Sequence, residues 1–241
     1  MTAEGLRPLA ALPRLERLDL KTSGITDGWL PALARLEHLR RIDLGTSKVT
    51  DAGLAQLTGH PSVEELILGS TPVTARGLAV LPSLKKLRWL LLGGVGVTDA
   101  ELVALGALPG LRHLELWSLS RITDAGFEAV ARVRTLEVLN LRGGKVRISS
   151  ANLAALGSLA GLRELSLWSC GVDDQALAGL AALAHLESLD LTYTHVTNAG
   201  LTQLASLANL RAVNLDSTKA TRAGLTKLRA TRPDLDVAPG Q

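Results

Sequence analysis

The chain of 241 residues carries one cysteine, Cys170, six aromatic side chains and no long uninterrupted apolar segment. Each scarcity removes a class of explanation. A single thiol cannot close an internal disulfide, which fits a reducing compartment and a chain that needs no staples. Apolar residues are interrupted every three to six positions, so no run reaches the roughly 18 that a membrane-spanning helix requires. The start, Met1 to Gly5, lacks the basic and apolar regions of a secretory signal, and the expectation is a cytoplasmic protein without a membrane partner. Charge of one sign is scarce too. With 26 basic and 23 acidic residues the net charge is +3, and no basic run implies a nucleic-acid partner.

What the chain does have is leucine, about a fifth of all residues against a much lower usual share, within a total of 46% hydrophobic residues. The leucines are periodic. Leu-x-x-Leu-x-Leu or a close variant begins at Leu15, Leu39, Val63, Leu87, Leu111, Leu136, Leu162, Leu186 and Leu210, at spacings of 24 except for one of 25 and one of 26. A fixed period of this length is the mark of a solenoid. Inside each unit, segments such as Leu39-Arg40-Arg41-Ile42-Asp43-Leu44 alternate apolar and polar residues, which predicts a strand with one buried face. The following Val49-Thr50-Asp51-Ala52-Gly53-Leu54 changes period and predicts a short helix, with Thr50 as its cap and Asp51 at the positive end of its dipole.

These units resemble the leucine-rich-repeat family. The tail at 49–54, echoed at 25–30, 97–102, 122–127 and 196–201, is similar to the 24-residue repeats of many bacterial proteins and to those attached to F-box proteins. The resemblance implies an α/β solenoid, a curved horseshoe with a parallel sheet on its concave face and short helices on its convex face. It implies a half-repeat or cap helix over 1–14, nine repeats over 15–233 and a shortened terminal strand and tail over 234–241. The consensus asparagine at the ninth position is replaced by Ser23, Ser47, Thr71, Thr194 and Thr218, so the ladder between turns is expected to be hydroxyl-based. Cys170 shares that inward position and reads as a small buried hydrophobe.

Recurring residues serve the fold, so functional information lies where exposed positions deviate. The third, fifth and seventh positions of each unit should face the concave side. Trp89, Trp117 and Trp168, three of the chain's four tryptophans, fall in these columns. Trp117, Arg142 and Trp168 occupy one column on consecutive strands, which places the guanidinium about 5 Å from each indole, within cation–π reach. An apolar patch of Trp89, Ile67 and Leu91 is expected beside it, with His113 and Glu115 between. The partner-binding set is therefore Trp89, Leu91, His113, Glu115, Trp117, Arg142, Glu164, Trp168 and Tyr193. The two longer repeats carry their extra residues near Leu119–Arg121 and Val146–Ser150, where insertions extend a binding edge. Trp29 replaces the glycine found in most units and should cover the end of the stack.

Catalytic chemistry is not in view. The histidines His38, His60, His113, His185 and His195 are scattered without metal-ligand spacing. Gly93-Gly94 and Gly143-Gly144 lack the context of a phosphate loop. Asp19 and Asp43 approach the carboxylate spacing of a retaining glycosidase, but they sit on an open sheet beside Arg17 and Arg41 and read as a charge pattern. The expectation is a non-catalytic module without cofactor or metal that binds a protein around the Trp-Arg-Trp cluster. A substrate-recognition adaptor or effector, an inhibitor or immunity protein, and more remotely a carbohydrate-binding surface are the alternatives.

Overall fold

The computed structural model describes residues 12–94, 97–143 and 146–238. Most of the expected N-terminal cap, Gly5 to Ala11, and the tail from Pro239 lie outside the described residues. Ten strands form one parallel sheet in chain order. They are β1 (Arg17–Asp19), β2 (Arg41–Asp43), β3 (Glu65–Ile67), β4 (Trp89–Gly93), β5 (His113–Trp117), β6 (Val138–Arg142), β7 (Glu164–Ser166), β8 (Ser188–Asp190), β9 (Ala212–Asn214) and β10 (Asp236–Ala238). The helices that return the chain between strands are α1 (Leu30–Leu33), α2 (Asp51–Leu54), α3 (Ala75–Leu78), α4 (Asp99–Leu105), α5 (Asp124–Val130), α6 (Ser150–Leu156), α7 (Asp174–Leu177), α8 (Asn198–Leu204) and α9 (Arg222–Thr231).

The second residue of each strand points inward, partly buried at Leu18 of β1 and buried in the strands that follow. Ile42, Leu66, Leu90, Leu114, Leu139, Leu165, Leu189, Val213 and Val237 are buried, and with the first and sixth leucines of each unit they make one continuous core. No unit encloses its own leucines, so the folded state is an array of nearest-neighbour interfaces. Strands stack about 4.8 Å apart while helices need more room, which bends the stack and makes the sheet its concave wall.

Each of the strands β1 to β9 ends in a sharp turn built on a residue in the left-handed region. Thr22, Thr46, Ser70, Ser118, Ser169, Tyr193 and Ser217 have φ between 53° and 59°, and Gly94 and Gly143 hold the equivalent places. The turn is retained because its amide continues the ladder: Thr46 N donates to Gly69 O at 2.7 Å, Ser169 N to Thr192 O at 2.8 Å and Tyr193 N to Asp216 O at 3.0 Å. Fifth-position side chains close the same turns, since Asp19, Asp43, Asp190 and Asn214 each accept from the amide two residues on.

The expected hydroxyl ladder takes another form. Ser23, Thr71, Thr194 and Thr218 donate to the carbonyl three residues earlier in their own repeat, at 2.5 to 2.8 Å. A hydroxyl is one donor on a short arm and reaches only its own turn, where an amide could span to the next.

Neighbouring repeats are instead joined on the helical side. Asp51 Oδ1 accepts from Thr74 N and Asp51 Oδ2 from Thr74 Oγ1, both at 2.7 Å. Asp27 bonds Thr50, Asp99 bonds Thr123 and Asp174 bonds Thr197 in the same way. The recurring glycine makes room: a Cβ on Gly77 would lie 2.3 Å from Asp51 Oδ1. Where Ala75 replaces the aspartate, the next repeat has Glu101 in place of the glycine. Glu101 Oε2 accepts from Thr98 N at 2.7 Å and from Thr98 Oγ1 at 2.5 Å, and Oε1 accepts from Ala75 N at 3.0 Å. The interface keeps its carboxylate and changes only the side that supplies it. Burial pushes the Glu101 carboxyl up, but its hydrogen bonds from Thr98 and Ala75 together hold it below the ordinary value.

Candidate functional site on the concave wall

Strand pairing places the candidate residues in registered columns. Arg41, Glu65, Trp89, His113, Val138 and Glu164 pair successively from β2 to β7, and Ile67, Leu91, Glu115 and Asn140 form the parallel column beside them. Trp117 pairs with Gly93 on one side and Arg142 on the other.

Contacts within these columns differ from the expected sandwich. Trp117 and Arg142 are neighbours, but neither indole lies in cation–π contact with Arg142. Trp117 leans the other way, over Gly93, where a Cβ would fall 2.7 Å from Trp117 Cβ. Trp168 packs edge-on against Tyr193, with ring centroids 5.5 Å apart and planes at 80°. Space beside the glycine draws one indole away, and an aromatic partner draws the other. Among the described residues the cation–π contact is made by Arg41, whose guanidinium lies 4.9 Å from the Trp89 centroid and also pairs with Glu65.

Trp89 is half-buried because this contact covers one side and His113 the other, at 5.5 Å and 76°. His113 Nε2 lies 3.0 Å from Glu115 Oε1 and 3.4 Å from Asn140 Nδ2. Carrying a proton it donates to the carboxylate; without one it accepts from the amide. The hydrogen bond from His113 is the main reason the Glu115 carboxyl sits below its ordinary value, against the opposing effect of burial, with Arg142 and Asn140 acting in the same direction as His113. A polar network thus runs from Arg41 through Trp89 and His113 to Glu115 and Asn140.

Two expected members of the apolar patch offer no surface. Ile67 and Leu91 are buried, with Leu91 leaning over Gly69, where a Cβ would meet Leu91 Cδ2 at 3.0 Å. Arg142 and Glu164 are exposed. Trp117 is 36% exposed, Trp168 38% and Tyr193 57%, and the three lie along the strand-end side of the wall from β5 to β8. Arg41 and Asn140 escape a search for deviating aromatics, since their contacts depend on rotamers. Tyr193 departs from the serine, threonine or glycine of other left-handed turns, a signal that alignment of the repeats displays directly.

Trp29 is buried in the core on the helical side, 5% exposed. Cys170 is buried, its thiol pushed up to about 12 by burial. The Asp19 and Asp43 carboxylates are engaged in the turns described above. Among the described residues no group of three or more histidine, cysteine or acidic side chains is placed to hold a metal ion, and no helix is long and apolar enough to cross a membrane.

The Leucine Rich repeat family matches residues 182–205, the segment from the end of one helical return through β8 to α8. Among solved structures, the chain is similar to the Leptospira interrogans LRR protein LIC12759, with a TM-score of 0.60 and 20% identity over 96% of this chain and 62% of that one. The fold is a leucine-rich-repeat solenoid. TLR13, solved as a complex with ssRNA13, shares the leucine-rich-repeat architecture with a TM-score of 0.62 and 18% identity over 98% of this chain and 33% of that one. This solenoid therefore spans less than two thirds of either relative. Comparison with curated proteins gives no match.

Proposed function

We propose that the concave wall is a protein-recognition surface centred on Trp117, Trp168 and Tyr193, flanked by Trp89, His113, Glu115, Arg142 and Glu164, and that the protein binds without making or breaking bonds. The observation that carries this reading is placement. Among the described residues the exposed large hydrophobics are Leu12, Val103, Trp117, Trp168 and Tyr193, and three of the five fall on one strip of the wall. Exposed aromatics beside an arginine are the composition of interface hot spots. Leu91 is left out of this set because it is buried. The repeats are read as the 24-residue Val-Thr-Asp-Ala-Gly-Leu type, and the unsealed single thiol is read as that of a cytoplasmic protein.

The test is capture of a partner from the source cell by wild type, Trp117→Ala, Trp168→Ala and the double variant. The reading expects the double variant to lose the partner while its thermal midpoint moves by no more than a few degrees, since both side chains are over a third exposed. Capture that survives both truncations would contradict it. Glycan binding abolished by the same truncations would favour a carbohydrate surface instead.

A further inference from the structure

Charge is distributed unevenly along the concave wall. In the third, fifth and seventh columns over β1 to β3, Arg17, Lys21 and Arg41 stand against Asp19, Asp43 and Glu65. Over β4 to β6, Arg142 stands against Glu115, whose carboxyl it helps to hold below the ordinary value. The same columns over β7 to β10 hold Glu164, Asp190, Asp216 and Asp236, and among the described residues they hold no lysine or arginine. The acid is local to this half of the wall, since the whole chain carries a net charge of +3.

No neighbouring cation neutralises these four carboxylates: among the described residues none of them forms an ion pair. Asp190 is held by neutral donors, accepting from Thr192 N, Thr192 Oγ1 and Ser166 Oγ, while Glu164 and Asp236 are exposed. Cations at the margins are fewer. Arg147 is taken by Asp173, Arg163 by Glu187 and Arg232 by Asp234, which leaves Arg211 before β9, Lys219 after it, and Arg229, which reaches the Val237 carbonyl from α9. The face between them is therefore negative and repels a nucleic-acid backbone.

Sheet geometry puts one carboxylate on each strand, at steps of about 5 Å along the solenoid. Trp168 on β7 and Tyr193 after β8 lie in the same stretch, edge-on to each other and 38% and 57% exposed. The face of an aromatic ring attracts a cation, and the apolar stem of a lysine or arginine covers ring surface. Rings and acids thus favour the same side chains.

We propose that the β7 to β10 half of the wall receives a lysine- or arginine-rich segment of the protein partner, which crosses the strands over Trp168 and Tyr193 and sets its cations on Glu164, Asp190, Asp216 and Asp236. The proposal rests on the reading of the wall as a protein-recognition surface and adds the charge of what lies on it.

The experiment measures fluorescence polarisation of a labelled octalysine peptide with the full chain at low salt, beside a labelled octaglutamate. Octalysine should bind more tightly than octaglutamate although the chain as a whole is cationic, and Glu164→Gln/Asp216→Asn should weaken it about tenfold. Glu37→Gln/Glu128→Gln, which removes two exposed carboxylates outside the columns, should leave it unchanged, and both variants should melt with the parent. Absence of octalysine binding, equal or tighter binding of octaglutamate, or equal loss in the two double variants would overturn the proposal. The comparison of the two peptides needs no variant and holds whatever the substitutions do to folding. Because the peptides are synthetic, octalysine can fail to bind while the tryptophan truncations still abolish partner capture, and the two readings are judged separately.

Discussion

At the scale of single residues, the solenoid is joined by carboxylates whose source alternates across an interface. Replacing Glu101 by glycine removes the acceptor for Thr98 and Ala75 and should cost about 2 kcal/mol, the penalty for stranding donors that a charged acceptor served. Adding Ala75→Asp to that variant restores the arrangement used at Asp51 and Thr74, and most of the loss should return in chemical denaturation. Failure of the double variant to recover would mean that Glu101 acts through something other than this carboxylate position. Cys170 supplies a simpler expectation. With its thiol pushed up to about 12 and its side chain buried, it should resist alkylation at neutral pH in the native state and react only after unfolding. Rapid native-state modification would show that the site opens far more easily than its packing allows. The column position of Cys170 already indicates this inward placement, whereas the exchange between Ala75 and Glu101 is visible only once Thr98 is seen between them.

At the scale of elements, strand pairing reproduces the columns read from spacing, because side-chain alternation and a 24-residue period leave only one register. What spacing cannot supply is the direction in which each side chain leans. Trp117 and Arg142 are neighbours in β5 and β6 as the period requires, yet Gly93 and Tyr193 decide where the indoles go. The same limit hid Arg41, which reaches past Glu65 to the face of Trp89. The network on β4 to β6 and the loop under α1 both lose stability in acid, in separate pH windows. Glu115 has its pKa depressed chiefly by His113, so its contribution is present above the unfolded value of 4.5 and is lost as pH falls through the folded value. His60 is buried, and desolvation lowers its pKa, outweighing backbone hydrogen bonds that act in the other direction. The unfolded chain then takes up the proton first, so stability should fall as pH drops below 6.5. Urea denaturation from pH 7 down to about 3 should show both losses, with His60→Leu flattening the upper window and Glu115→Gln the one below 4.5. An unchanged profile in either variant would remove that group from the account.

At the scale of the molecule, a stack of near-identical units gives the wall its shape, and departures from identity give it chemistry. The helical side varies little because a carboxylate, or at Asn198 an amide, holds the capping threonine of the next repeat at most interfaces. The concave side varies because its third and seventh positions are not required by stacking, and there Trp89, Trp117, Trp168 and Arg142 gather, with Tyr193 at the turn position that follows. Repeat lengthening at Arg121 and Arg147 falls beside the same strands, so shape and composition depart from the pattern together. The most direct measurement is oxidative footprinting of the chain alone and in complex with its captured partner. The account predicts that Trp117, Trp168 and Tyr193 lose reactivity on binding while Leu12 and Val103 stay unchanged and Trp29 stays protected throughout. Equal labelling of the three aromatics in free and bound states would place recognition elsewhere on the solenoid.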